Sequence, residues 1–291
     1  MNAILSPRIG VLALLAIATT FGSNHIAARV AFDHGASVTA AVAIRSGFTA
    51  LFLLALMRIS GVPVAAPRAT LMRALAIGLL IAVQSFCLYS AVALIPVALA
   101  LLAFNTFPIL LALFSWAWTG ERPRGAALAA MPLALVGLSL ALDVFGKPVN
   151  PAGIAWALGA AVTFALALLG TERWLKAMDG RLRTFLTMSV TAIVVLVAGF
   201  WSDAFAFPQA PAGWVGIALL TVLYATAITS LFIILPHLGP ANYAVVLNFE
   251  PIAVLFLAWA ILGQAVAPLQ MLGAFIVIGA ITLPAIRRPR P

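Results

Sequence analysis

The sequence predicts an all-α integral membrane protein whose ten transmembrane helices form two inverted five-helix repeats around a central cavity. Three observations carry this expectation. Of the 291 residues, 65% are hydrophobic and only 8% are charged, and the mean hydropathy is +1.18. Water-soluble domains carry about a quarter charged residues and could not bury so much apolar surface. Apolar stretches follow one another with short breaks, each close to the roughly 20 residues needed to cross a hydrocarbon layer about 30 Å thick. Finally, motifs in the first half recur in the second at a constant shift of 143 positions.

Taken in order, the predicted spans are 9–32, 37–59, 70–93, 96–118, 125–143, 151–172, 182–202, 213–235, 240–262 and 268–286. The first follows Arg8 and resembles a secretory signal, but it is too long for a cleaved apolar segment and reads as a membrane helix. Charge, proline or glycine marks the breaks at 33–35, 58–73, 120–125, 143–151, 171–183 and 202–213. Pro96 opens the fourth span, and Pro236 and Pro240 separate the eighth from the ninth.

Lys and Arg accumulate in short cytoplasmic loops. With both termini cytoplasmic, that side receives Arg8, Arg58, Arg68, Arg73, Arg122, Arg124, Arg173, Lys176, Arg181, Arg183, Arg287, Arg288 and Arg290, while Lys147 alone lies in an outer loop. Arg29 and Arg45 stay within helices. Short loops with this bias fit a bacterial inner membrane. The net charge of +9 is dispersed between apolar stretches rather than gathered on one face, which argues against a nucleic-acid partner. Cys87, the single cysteine, permits neither a disulfide framework nor a cysteine-rich metal site. No metal or other cofactor is expected.

The repeat rests on four coincidences. Asn105-Thr106-Phe107-Pro108 matches Asn248-Phe249-Glu250-Pro251 in its Asn-x-x-Pro spacing, Thr20-Phe21 falls on Thr163-Phe164, and Gly120 falls on Gly263. The units are 1–146 and 147–291, each with an odd number of helices, so the second enters the membrane from the opposite side, as in many secondary transporters. Ten helices, the proline-bearing fourth and ninth spans, and Gly120-Glu121 closing the fourth resemble the drug/metabolite transporter superfamily, specifically its EamA-type members. Within it, the chain looks most like bacterial exporters of aromatic and other amino acids of the YddG type. Gln264 departs from the repeat, standing where a second acid would match Glu121.

Glu250 is the one acid in the middle of a predicted span. A charge there costs at least about 2.5 kcal/mol on insertion scales. Either it faces the cavity, binding a substrate ammonium or taking up a proton, or it is a structural carboxyl tied to Arg45. Arg45 can bind a substrate carboxylate or an acidic partner, and an acid and a base across one cavity suit a zwitterion. Arg29 precedes Asp33 by one turn, and a local pair accounts for it.

Pro108 and Pro251 each remove a backbone donor and bend their helices near mid-membrane, leaving the carbonyls of Phe104 and Leu247 for a polar ligand or for repair by neighbouring side chains. Asn105 and Asn248, three residues earlier, either hold a substrate carboxylate or amide or bond between helices. Asn24, His25, Gln84, Tyr89 and Tyr224 form a second tier of candidates, each more often packing than ligand. Trp116, Trp118, Trp174, Trp201, Trp214 and Trp259 fit an interfacial belt. Trp156 lies slightly deeper, where it either joins that belt or stacks on an apolar substrate.

These features point to a secondary transporter that exports small amphiphilic metabolites by alternating access, with amino acids, including aromatic ones, implied by the resemblance. Uniport and proton exchange through Glu250 both stay open, as do other metabolites or drugs as cargo. The lipid bilayer and a small-molecule substrate are the expected partners, and small residues in the fifth and tenth spans permit oligomers without specifying one. No phosphate-binding GxxxxGK[ST] loop is present, so the chain carries no ATP-driven pump of its own. An enzyme would need HExxH, GxSxG or an intramembrane His/Asp cluster, and none occurs; His34 and His237 are loop residues. A channel would need rings of like polar groups.

Overall fold

The computed structural model describes residues 7–120, 132–134, 136–137, 139–140, 149–234, 250–264 and 267–286. Among them lie α1 (Pro7–Asp33), α2 (Val38–Ile59), α3 (Arg68–Leu94), α4 (Val97–Phe104), α5 (Phe107–Thr119), α6 (Pro151–Trp174), α7 (Gly180–Trp201), α8 (Pro211–Ile234), α9 (Glu250–Leu262) and α10 (Pro268–Ile286), and no strand. Lipid offers backbone groups no hydrogen-bond partner, so apolar stretches of this length close their own ladders as helices. Six stretches among the described residues are long and apolar enough to cross a membrane: Val38–Ile59, Arg68–Leu94, Val97–Thr119, Pro151–Trp174, Gly180–Trp201 and Pro211–Ser230. Large apolar side chains such as Leu51, Val197 and Phe256 point outward, as a lipid-facing surface requires. The predicted 125–143 span lies mostly outside the described residues. Gly137 within it packs against α10, close to the Gly273 carbonyl and the Val277 amide.

The fourth predicted span is interrupted rather than bent. It divides into α4 and α5 at Asn105 and Thr106. Pro108 occupies the first turn of α5, where a missing N–H costs nothing. The Asn105 side-chain amide donates to the Leu101 carbonyl at 2.7 Å and the Thr106 hydroxyl to the Ala103 carbonyl at 2.8 Å, so side chains add second bonds to carbonyls that already accept the backbone amides of the same two residues at the end of α4.

Moving α5 along by 143 positions lands it on α9, and the same shift brings α1, α2 and α3 onto α6, α7 and α8 to within three residues at either end. Gly120 and Gly263, 143 apart, both adopt the left-handed conformation that closes a helix and that glycine alone enters without penalty. Contacts obey the same exchange. α1 packs along α8 as α3 packs along α6, α2 pairs with α7, and α3 meets α7 as α8 meets α2.

Small residues let these helices approach closely. In the α1–α8 seam, Gly216 faces the Ala31 amide and the Ala27 carbonyl. A methyl group added at Gly216 would stand 2.7 Å and 2.9 Å from those atoms. Gly216→Ala is therefore expected to cost about 1–3 kcal/mol through overpacking. Gly159→Ala would meet Cys87 Sγ at an ordinary 3.7 Å and gain up to about 1 kcal/mol of helix propensity. Melting temperatures in one detergent should diverge in sign; equal shifts would refute the close-approach argument.

At one end of the bundle, polar side chains fasten the helices. Arg29 pairs with Asp33 at 2.9 Å, as the one-turn spacing predicts, and its Nη1 also donates to the Val92 carbonyl at 3.1 Å and to the Ala93 and Ile95 carbonyls at 3.4 Å. The guanidinium thus caps the carbonyl end of α3. Ser37 caps α2 by accepting from the Ala40 amide, accepts a second bond from the Ala206 amide, and returns its own amide to the Ala206 carbonyl. At the opposite end of α7, Asp179 caps its start, accepting from the Arg181 amide at 2.8 Å and from the Arg181 guanidinium. Those bonds hold its carboxyl below the usual carboxylate range, chiefly through the Arg181 side chain, so the cap is at full strength at neutral pH and is lost only as pH falls through that lowered value.

A candidate substrate site built on a buried arginine

Most of the sequence-predicted residues converge. Asn24 and His25 come from α1, Arg45 from α2, Gln84 and Tyr89 from α3, Tyr224 from α8 and Glu250 from α9. All but Tyr224 and Glu250 are buried, and those two are half-buried. Arg45 is only 3% exposed. Its Nη1 donates to the Tyr89 hydroxyl at 3.3 Å and its Nη2 to the Ser85 hydroxyl at 3.1 Å, while the Tyr224 and Tyr89 rings lie 4.0 and 5.0 Å from its Cζ. The two hydroxyls pass their own protons onward, Tyr89 to Asn24 Oδ1 at 3.0 Å and Ser85 to Gln84 Oε1 at 3.4 Å.

Among the described residues, Arg45 therefore has two hydroxyl oxygens and two ring faces but no carboxylate. Its Nε has no partner, and no ion pair involving it occurs among the described residues. Burying a guanidinium without a counter-ion is costly, because hydroxyls and ring faces replace only part of its hydration.

The acid expected opposite Arg45 pairs elsewhere. Glu250 Oε1 stands 3.3 Å from His25 Nε2, a correction to the alternative that ties Glu250 to Arg45. Such pairing joins different helices, which spacing along one chain cannot reveal. The imidazole lies beside the Tyr89 ring, 5.7 Å between centroids, so the Glu250–His25 pair and the Arg45 cluster share one wall. His25 Nδ1 is buried without a partner among the described residues. Gly22, one turn earlier on α1, lies against Val254 of α9, and a methyl group added there would stand 3.6 Å from the Glu250 carbonyl, so the start of α9 runs close to α1.

Other predicted residues lie apart. Asn105 serves the break between α4 and α5, beside an aromatic trio of Phe104, Phe107 and Phe164 whose centroids lie 4.9–5.4 Å apart. Trp156 is 39% exposed and packs edge-on against Phe86 at 6.0 Å. Pro251 follows Glu250 in the first turn of α9, and Asn248 and Leu247 lie outside the described residues. Two clefts of about 350 and 360 Å³ occur elsewhere in the fold, and none of the predicted site residues lines them. Sequence reasoning passed over Ser85. Its position four residues before Tyr89, on the same face of α3, was the signal available.

The constellation is not duplicated. A shift of 143 carries Asn24, His25, Arg45 and Tyr224 to Ala167, Leu168, Met188 and Ile81, and brings Glu250 to Phe107. A model of the EamA-like transporter family matches residues 8–142 and again residues 151–285. The chain belongs to the EamA-like transporter family. The two EamA matches begin 143 positions apart, the interval at which the helices recur. This EamA chain is 25% identical over 122 residues to the uncharacterized transporter YvbV of Bacillus subtilis (strain 168), and 28% identical over 191 residues to the uncharacterized transporter YwfM of the same organism. Those stretches cover 42% and 64% of the chain, and 40% and 64% of the respective relatives. A solved structure described only as a crystal structure of a protein superposes with a TM-score of 0.68 at 18% identity, over 96% of this chain and 97% of that one, which establishes a shared fold. Family and apolar helices together make this an integral membrane protein of a transporter family.

Proposed function

We propose that this EamA chain is a secondary transporter that exports small amphiphilic metabolites, with amino acids, aromatic ones included, as its leading substrates. The observation that carries the reading is Arg45, a buried guanidinium with no carboxylate partner among the described residues, set on the same wall as Glu250. A zwitterion supplies what both lack. Its carboxylate reaches Arg45 and its ammonium displaces His25 from Glu250. The site draws on helices of both halves, and such a site at a repeat interface suits alternating access by rocking one half against the other.

The architecture we infer is ten spans in two inverted units, 1–146 and 147–291, with both termini cytoplasmic in a bacterial inner membrane. The exchange of helix contacts between halves, the twofold family match and the segregation of Lys and Arg support it. The Glu250–His25 contact favours proton exchange as the mode of coupling, because two groups that can carry a proton meet where the substrate amine would bind. Export of other amine-bearing metabolites or drugs is the alternative cargo.

The test is uptake of labelled phenylalanine, tryptophan and one non-aromatic amino acid into proteoliposomes preloaded with the same compound. Saturable counterflow is expected. A flux that rises linearly with concentration would mark a channel, and no counterflow with any amino acid in folded protein would remove them as substrates.

A further inference from the structure

A groove of about 360 Å³ opens on the membrane-facing side where α3, α5 and α6 meet, away from the polar cluster. Its floor is apolar, formed by Leu80, Phe114, Ala117, Leu166 and Leu169. At its rim the character changes. Arg173 stands there with its Cζ 5.9 Å from the Trp118 ring, and Trp118 meets Trp174 edge-on at 6.4 Å. Leu166 precedes Arg173 by seven residues, so the floor extends about 11 Å below the charged rim at 1.5 Å per residue. Gly170, between them, has no side chain to obstruct it, and the Trp174 ring lies close by.

Arg173 is exposed and forms no ion pair among the described residues, and exposed Lys176 follows one turn later. A planar guanidinium at the end of an apolar trough, flanked by two indoles of the kind that settle at the headgroup level, matches a molecule with an anionic head and a hydrocarbon tail. Basic pockets between membrane helices bind anionic headgroups for this reason. We propose that this groove is a binding site for one anionic phospholipid, its phosphate on Arg173 with support from Lys176 and one acyl chain along the floor. The site joins α3 and α5 to α6, so a bound lipid bridges the two halves of the chain.

Native mass spectrometry of the full chain, with phosphatidylglycerol and phosphatidylcholine of identical acyl chains, tests this. Wild type is expected to retain a single phosphatidylglycerol in preference to phosphatidylcholine, and Arg173→Gln to lower that preference about fivefold, the worth of one basic residue near an anionic lipid. Ala117→Trp, which fills the trough from the exposed flank of α5, should reduce retention of both lipids, while unchanged melting of Arg173→Gln shows that the fold persists. Equal retention of the two lipids by wild type, or an undiminished preference in Arg173→Gln, would overturn the proposal. So would a change from dimer to monomer in Ala117→Trp, which would give the groove to a second copy of the chain.

Discussion

Arg45→Met is expected to reduce amino-acid counterflow about 100-fold while leaving the melting temperature unchanged or higher. The first effect follows from the role proposed for the guanidinium. A charge-assisted, two-pronged bond to a carboxylate contributes up to about 3 kcal/mol, or roughly two powers of ten in affinity. The second effect runs opposite to the usual cost of a core substitution. Among the described residues the buried cation has no carboxylate, and one of its nitrogens has no partner. Its removal orphans neither hydroxyl, because Tyr89 still donates to Asn24 and Ser85 to Gln84. Replacing buried ionic groups with apolar ones of similar volume is often neutral or stabilising. Arg45→Lys should retain partial activity, since it keeps the charge but loses the planar fork. Counterflow in proteoliposomes and thermal melting in detergent separate the effects, and wild-type counterflow by Arg45→Met would exclude the guanidinium from the substrate site.

Glu250→Gln has the second largest expected effect: loss of counterflow for amine-bearing substrates by about 50-fold or more, again at the scale of one charge-assisted bond. The amide retains a hydrogen-bonding oxygen for His25, so stability should change little. If the pair carries the coupling proton, the variant should also lose whatever pH dependence wild-type counterflow displays, and His25→Gln should flatten that dependence while preserving some transport. A Glu250→Gln protein with full activity and an unchanged pH profile would reduce the carboxyl to a structural role.

Much of this was legible in the sequence because lipid imposes a simple rule. A helix must be apolar for its full width, and its ends must coincide with charge, proline or glycine, so α2, α3 and α6 fall within about two residues of their predicted spans. Orientation about each helix axis was not legible. Helices apolar on every side give no periodicity to say which face turns inward, and for that reason Trp156 could be read as a cavity residue although it packs on Phe86 at the surface. The same limit explains the pairing of Glu250 with His25, since only interhelical distances decide between two basic side chains. Asn-x-x-Pro was read as a bend; the break at Asn105 depends on Asn105 and Thr106 turning their side chains back onto α4, which composition does not encode.

The fastening by Arg29 and Ser37 has a mechanical consequence. Ser37 holds the chain between α7 and α8 to the start of α2 through two hydrogen bonds with Ala206, and Arg29 clamps the same end of α1 to the last carbonyls of α3. In the rocking motion proposed for transport, any opening at this end must first break several polar contacts, whereas the far end of the bundle swings on the longer lever arm. The fulcrum therefore sits nearer the stitched end, and displacement should grow with distance from Ser37, a gradient that paired spin labels placed along α2 and α7 would record.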